Sequence, residues 1–239
     1  MRRVLPSIVA IVVFAGTLPA QTSENILSIA IRGTYTTSSK VFNNPDSPSS
    51  DLRAQYVALD NIYGPGLEIR INIPGQSVAL TLATEYLSKH DEEAQLVGFT
   101  APPRRLSVRE GFRLVPIELG ANVPIPLGSE GMRLSIGGGV GAYIGKRVLN
   151  VAGADAPQQN KPVTTGIHVE TNFDYLVLPH LFARIEMRFR DPEFTTESKF
   201  EQKATLSNGV LIQLPQEPFR ARINVNGLVF GVGLVYELF

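Results

Sequence analysis

The chain has 239 residues, no cysteine, and 22 basic residues against 22 acidic ones, for a formal net charge of zero. Without cysteine there is no disulfide framework and no thiolate metal site, and without a basic stripe there is no surface suited to a nucleic-acid backbone. An apolar content of 44% allows a sizeable core, and the length suits one large domain or two small ones.

Residues 1–20, MRRVLPSIVAIVVFAGTLPA, carry Arg2 and Arg3, an apolar run from Leu5 to Gly16 and a small residue at Ala20. This predicts a secretory signal peptide cut after Ala20, because a spanning helix needs about 20 apolar residues; a retained anchor is the alternative. Losing Arg2 and Arg3 leaves 20 basic against 22 acidic residues, a net charge of −2. No later apolar run is long enough for a helix to span a membrane. Residues 21–239 show no linker and are expected to form one domain.

Strict alternation of apolar and polar residues recurs eight times, and each instance predicts a β-strand with one apolar face. The first sets Leu27, Ile29, Ile31 and Tyr35 against Ser28, Arg32, Thr34 and Thr36. The second opposes Leu67, Ile69, Ile71 and Ile73 to Glu68, Arg70 and Asn72, and the third Val78, Leu80, Leu82 and Tyr86 to Thr81, Ala83 and Glu85. In the fourth, from Arg113 to Ile125, the polar side holds Glu118, Gly120 and Asn122. The fifth has Leu134, Ile136, Val140, Ala142 and Ile144 opposite Arg133, Ser135, three glycines and Tyr143. The sixth turns Ile167, Val169, Phe173, Tyr175 and Val177 away from His168, Glu170, Asn172 and Asp174. The seventh turns Ala183, Ile185, Met187 and Phe189 away from Arg184, Glu186, Arg188 and Arg190, and the eighth begins near Phe219.

The eighth segment has a fault. Odd positions are apolar from Phe219 to Val225, and even positions are apolar from Leu228 onward. A β-bulge at Asn226-Gly227 would restore one continuous apolar face.

Connections alternate between short and long. Residues 74–77, 126–131 and 179–180 are tight turns, and 38–58, 88–110, 146–163 and 191–218 read as long loops rich in Pro, Ser, Asn and Asp. Asn208-Gly209 is a hairpin-tip signal that would let the last two strands project as one hairpin, with Pro192, Pro215 and Pro218 interrupting its ladder. Long loops confined to one end, with tight turns at the other, match a transmembrane barrel. The expected fold is all-β: an eight-stranded antiparallel up-and-down transmembrane β-barrel with four long loops on one end and three short turns on the other.

Charge decides which face is inside. The polar face collects Arg32, Glu68, Arg70, Glu85, Glu118, Arg133, His168, Glu170, Asp174, Arg184, Glu186, Arg188 and Arg190. An arginine on the lipid face at the midplane costs about 2–4 kcal/mol, so in a membrane these side chains must point inward, where each needs a partner. An eight-stranded barrel leaves an interior that side chains can fill, and an ion-pair network plugging the lumen is expected. A soluble lipocalin-like periplasmic binder, with these charges outside, is the alternative. The glycines of LSIGGGVGAYIG (Leu134 to Gly145) would make room for arginines from other strands.

VPIELGANVPI (Val115 to Ile125), LSIGGGVGAYIG and GLVFGVGLVYELF (Gly227 to Phe239) resemble the small eight-stranded outer-membrane β-barrel family, the class of the OmpA membrane domain and OmpX, over about residues 24–239. The resemblance implies residence in the outer-membrane bilayer of a Gram-negative bacterium, periplasmic transport by chaperones and insertion by the barrel assembly machinery. It further implies that Phe239 is the assembly signal, although Glu237 stands where the family has a second aromatic residue.

Other sites are weaker. His168 and Glu170 share a face, yet no serine follows two positions on, so no catalytic group is expected and the chain is not read as an enzyme. His90, Asp91, Glu92 and Glu93 read as a solvated charge run, His180 is isolated in a turn, and no cofactor or metal is expected. Tyr35, Tyr86, Phe112, Tyr143, Phe173, Tyr175, Phe189, Phe230 and Tyr236 are candidates for interfacial aromatic belts. Phe200, Phe219 and the run Val210 to Leu214 would offer an extracellular partner an apolar strand edge. The leading expectation is a structural or surface-interaction role through long extracellular loops. Transport of small or hydrophobic solutes is the alternative.

Overall fold

The computed structural model describes residues 26–97, 100, 104–128 and 131–238. The predicted signal peptide and Phe239 lie outside them. In chain order the elements are β1 (Leu27–Phe42), α1 (Ser50–Ala54), β2 (Tyr56–Asn72), β3 (Ala79–Glu85), β4 (Leu87–Val97), β5 (Arg104–Ile125), β6 (Met132–Val151) and β7 (Ala154–Asp155). They continue with β8 (Val163–Leu178), β9 (Leu181–Arg190), β10 (Glu193–Ser198), β11 (Ala204–Ser207), β12 (Val210–Gln213), β13 (Phe219–Asn224) and β14 (Gly227–Glu237).

Eight of these pair antiparallel in a ring: β1 with β2, β2 with β3, then β5, β6, β8, β9 and β14, which returns to β1. Alternation aims Ser28, Ala30, Arg32 and Thr34 inward, while Ile29 and Ile31 stay exposed on the outside. The apolar exterior has the height of a membrane. On β5 it runs from Val115 to Ile125, ten residue steps or about 34 Å of strand, which at a tilt of about 40° is roughly 26 Å against the ~25 Å band of outer-membrane barrels.

The long connections at the far end are largely strand rather than loop. β3 and β4 follow one register along β5, with Ala79 opposite Asn122 and Leu87 opposite Leu114. β1, β2, β5 and β6 each run well past the apolar band. These extensions alternate with the reverse chemistry: Leu106, Val108, Leu149 and Val151 are buried, while Ser107 and Arg109 are exposed. Outside the bilayer the wall faces water, so apolar side chains turn inward as in a soluble sheet. Polar outward positions made these stretches read as loops.

Here the ring parts along two seams. β2 pairs with β3 only as far as Gly66 and Glu85, and β8 with β9 only as far as His168 and Arg190. Beyond them stand two sheets, β10-β13-β1-β2 and β4-β5-β6-β8. Val41, Leu59, Ile62, Phe194, Ile223 and Val225 from the first sheet pack with Leu87, Phe112, Leu114 and Tyr143 from the second. We call this two-sheet extension the head.

The last hairpin projects into the head. Arg190 opposite Gly227 and Glu193 opposite Asn224 belong to one register, bridged by Val225 N–H donating to the Pro192 carbonyl at 3.0 Å. Pro192 is tolerated because the ladder uses its carbonyl at this point. The tip is the β11–β12 pair, turned by Asn208 and Gly209 at φ 50° and 75°, and Pro215 and Pro218 lie in the link to β13.

At Asn226-Gly227 the register does slip: Thr36 faces Val229 but Lys40 faces Asn224, so three residues of β1 oppose four. Its consequence differs from the expected continuous apolar face. Ala221, Ile223 and Val225 point inward and are buried, in phase with Val229 and Val235. The inward phase instead changes in β1 between Thr36 and Ser39, and in β2 beside Asn61, at φ 57°.

Candidate functional site

The barrel interior is built by alternate residues of six strands. β1 supplies Arg32, β2 Glu68 and Arg70, β3 Glu85, β5 Glu118, β8 Glu170 and Asp174, and β9 Arg184, Glu186, Arg188 and Arg190. β14 contributes space: a Cβ on Gly231 would lie 2.3 Å from Glu186 Cγ, and one on Gly233 would lie 2.9 Å from Arg32 Cβ.

Arg188 is the hub. Its guanidinium lies 2.5 Å from Glu118, 2.9 Å from Glu85, 3.0 Å from Glu170 and 3.5 Å from Glu186. Arg32 reaches Glu186 at 2.9 Å, Glu68 at 3.0 Å and Glu85 at 3.2 Å. Nearer the short turns, Arg184 clamps Asp174 through two nitrogens, at 2.6 and 2.8 Å, and reaches Glu68 at 2.7 Å. Arg70 spans Glu68 at 3.2 Å and Asp174 at 3.6 Å. Arg190 closes the far end on Glu85 at 2.8 Å and Glu118 at 3.4 Å. Pairing of this density is what makes such charges tolerable in a buried interior.

Arg133 stands apart from this cluster. It pairs with Glu237 at the rim and stacks over the Phe182 ring, 4.1 Å from its centroid, with a third of its side chain exposed. His168 is buried beside the network, and its Nδ1 has no hydrogen-bond partner. Among the described residues no group of three or more His, Asp or Glu is placed to hold a metal ion.

Other inward groups join the network beyond the predicted charges. Tyr143 donates to Glu118 at 3.0 Å and Asn122 Nδ2 to Glu170 at 2.8 Å. In the head, Arg147 grips Glu110 with two contacts of 2.8 Å. Tyr143 and Phe112 are wholly buried, which removes both from the predicted aromatic belts. The outward aromatics form two levels: Tyr35, Tyr63, Tyr86, Phe189 and Phe230 toward the head, and Tyr175 and Tyr236 toward the short turns.

The proposed apolar edge is also corrected. Phe200, Ile212 and Leu214 are buried with Leu106, Val108, Leu149 and Val151 in a second apolar cluster farther from the membrane. Leu206 and Leu211 remain exposed as a facing pair on the hairpin tip. Glu92, read as part of a solvated run, lies on β4, where hydrogen bonds from Ser107 and Arg109 hold its carboxyl below the usual carboxylate range.

From the short-turn end, a cavity of about 680 Å³ leads past Ser28, Asn122 and Ser135 to Arg70 and Asp174. There the ion pairs begin, and above them lie the two apolar clusters of the head.

No family model matches the sequence, and no curated protein does. Among solved structures, the chain is similar to the outer membrane protein OprG from Pseudomonas aeruginosa, at 14% identity and a TM-score of 0.60, covering 90% of this chain and 97% of that one. It is also similar to Neisserial surface protein A, at 11% identity and a TM-score of 0.47 over 89% and 97% of the two chains. A third is Ail, the attachment invasion locus protein of Yersinia pestis, at 14% identity and 0.47 over 90% and 99%. The likeness to OprG shows the fold, that of a small outer-membrane β-barrel.

Proposed function

We propose that this chain is an integral protein of a Gram-negative outer membrane with a sealed barrel, and that its two-sheet head is a rigid module for contact with extracellular proteins or surfaces. On this reading residues 1–20 are removed on export, and Phe239 serves the barrel assembly machinery. The observation that carries the proposal is the filled interior: ion pairs occupy the span from Asp174 to Arg190, and buried apolar side chains occupy the head above them. A soluble lipocalin-like binder would need the opposite arrangement, because the outer face of the ring is apolar over the height of a bilayer.

Planar-bilayer recording of the refolded full chain tests it. Sealed membranes with no unitary conductance are expected, and reproducible, salt-dependent steps would overturn the sealed-barrel reading. A second reading, sideways passage of a small apolar solute, is favoured by one observation. A recess of about 650 Å³ lies on the lipid-facing wall of β1, β2 and β14, among Gly33, Tyr35, Tyr63, Pro65 and Phe230. Uptake of an apolar solute that depends on the protein and is lost in Gly33→Trp would select this second reading.

A further inference from the structure

One wall of the head carries a group of exposed cations just beyond the apolar exterior. Tyr86, Val115, Ile144 and Val163 form the last apolar rung of the exterior on this side: Val115 faces Ile144, and Ile144 faces Val163. Two residues farther along each strand, Ser88 faces Arg113 and Arg113 faces Lys146. Gly145 N–H donates to the Pro162 carbonyl at 3.3 Å, where the β6–β8 ladder ends; beyond it the Gln158 side-chain amide accepts from Arg147 N–H at 2.6 Å and donates to the Asn160 carbonyl at 2.6 Å, and Lys161 lies beside this junction. Arg113 and Lys146 therefore occupy adjacent strands, about 5 Å apart, one rung beyond the apolar band, and Lys161 stands just before the start of β8 at the same end of the wall.

Arg113, Lys146 and Lys161 are all exposed, and none is paired with a carboxylate among the described residues. Glu92, farther up the same wall, is engaged by Arg109 and Ser107. The other sheet treats its cations differently. Arg220 lies by Glu197 and Asp46, Arg222 by Glu193, and Lys40 over the Tyr56 ring. Like charges directly across a ladder repel, so the unpaired group is destabilising for the sheet by itself and calls for an external anion.

We propose that Arg113, Lys146 and Lys161 dock the phosphate groups of an outer-leaflet lipid headgroup, with the acyl chains of that lipid lying on Tyr86, Val115, Ile144 and Val163. The height of the group selects this occupant. A headgroup phosphate sits where hydrocarbon gives way to water, and a guanidinium with two ammonium groups at that level supplies charge-assisted donors. The proposal rests on the membrane reading above.

The test uses the full chain refolded in detergent micelles, with native mass spectrometry scoring retention of a bisphosphorylated glycolipid against the same lipid without phosphates. Wild type is expected to retain the phosphorylated form preferentially. The triple variant Arg113→Gln/Lys146→Gln/Lys161→Gln is expected to lose on the order of 100-fold in affinity, since each cation near such a surface is worth about fivefold. The variant Lys40→Gln/Arg220→Gln/Arg222→Gln, on the other sheet, is expected to bind as wild type does. Equal retention by the triple variant, indifference to the phosphates, or displacement by inorganic phosphate at matched concentration would overturn the proposal. A heat-modifiability gel separates the two readings. A wild-type band that does not shift on boiling overturns the membrane reading and this proposal with it, whereas a shifting band that shows no lipid preference overturns the proposal alone.

Discussion

Arg188 and Glu118 meet across the barrel, 2.5 Å apart, although their strands, β9 and β5, are separated by β8 and β6 in the ring. Contacts of this kind tie the wall to itself through its centre. Backbone pairing specifies neighbours along the wall, and these ion pairs specify which strands stand opposite one another.

Replacing Arg188 with Ala leaves Glu85, Glu118, Glu170 and Glu186 short of a shared cation. Breaking a buried pair costs about 3–5 kcal/mol, so the urea midpoint in micelles is expected to fall steeply and the heat-modifiability transition to move to lower temperature. Arg133→Ala, at the partly exposed rim, should cost less than about 1 kcal/mol. Equal losses in the two variants would contradict the buried network.

Gly231→Ala introduces a Cβ 2.3 Å from Glu186 Cγ, whereas a Cβ on Gly33 meets nothing within 4 Å. The first substitution should destabilise the barrel by about 1–3 kcal/mol, the usual cost of overpacking. The second, on the lipid face, should leave the unfolding midpoint unchanged. Side-by-side unfolding curves check both.

The head should yield separately from the barrel. Phe194 lies against Gly145 in the seam beside β8, and Phe194→Ala should cost about 3–5 kcal/mol locally. We expect limited proteolysis to cut faster between 191 and 218, with the boiling-dependent gel shift of the barrel retained. Loss of the shift would mean that head and barrel unfold as one unit.

Salt separates the buried ions from the exposed ones. Charges in the buried interior are screened far less than charges in water, so raising NaCl from about 0.05 to about 1 M should barely move the unfolding midpoint. Binding at the Arg113 group should weaken strongly over the same range. A midpoint that falls with salt would indicate water in the lumen.

The ring was legible because an asymmetry of polar or small residues on one phase and large apolar residues on the other recurs along the spanning strands, most clearly in β9, where Arg184, Glu186, Arg188 and Arg190 oppose Ala183, Ile185, Met187 and Phe189. The head was not, because Leu106-Ser107-Val108-Arg109 shows the same period with the chemistry reversed, and nothing in the period marks where the bilayer ends. Glu110 and Arg147 were hidden for a related reason: each sits on an otherwise apolar phase, and only the β5–β6 register brings them together. At Asn226-Gly227 the sequence predicts the bulge that the register shows, but not its consequence. The change of chemistry there marks a change of solvent, and the extra residue adjusts the ladder to β1.

The phase change beside Thr37 and Asn61 has a consequence for insertion. Below it the chain presents grease outward, and above it arginines such as Arg109, Arg113, Arg220 and Arg222. Once the upper sheets have folded on the distal side, drawing them back would drag that hydrated collar through oil. The collar thus works as a rivet head, letting the polypeptide pass the bilayer in one direction and barring its return.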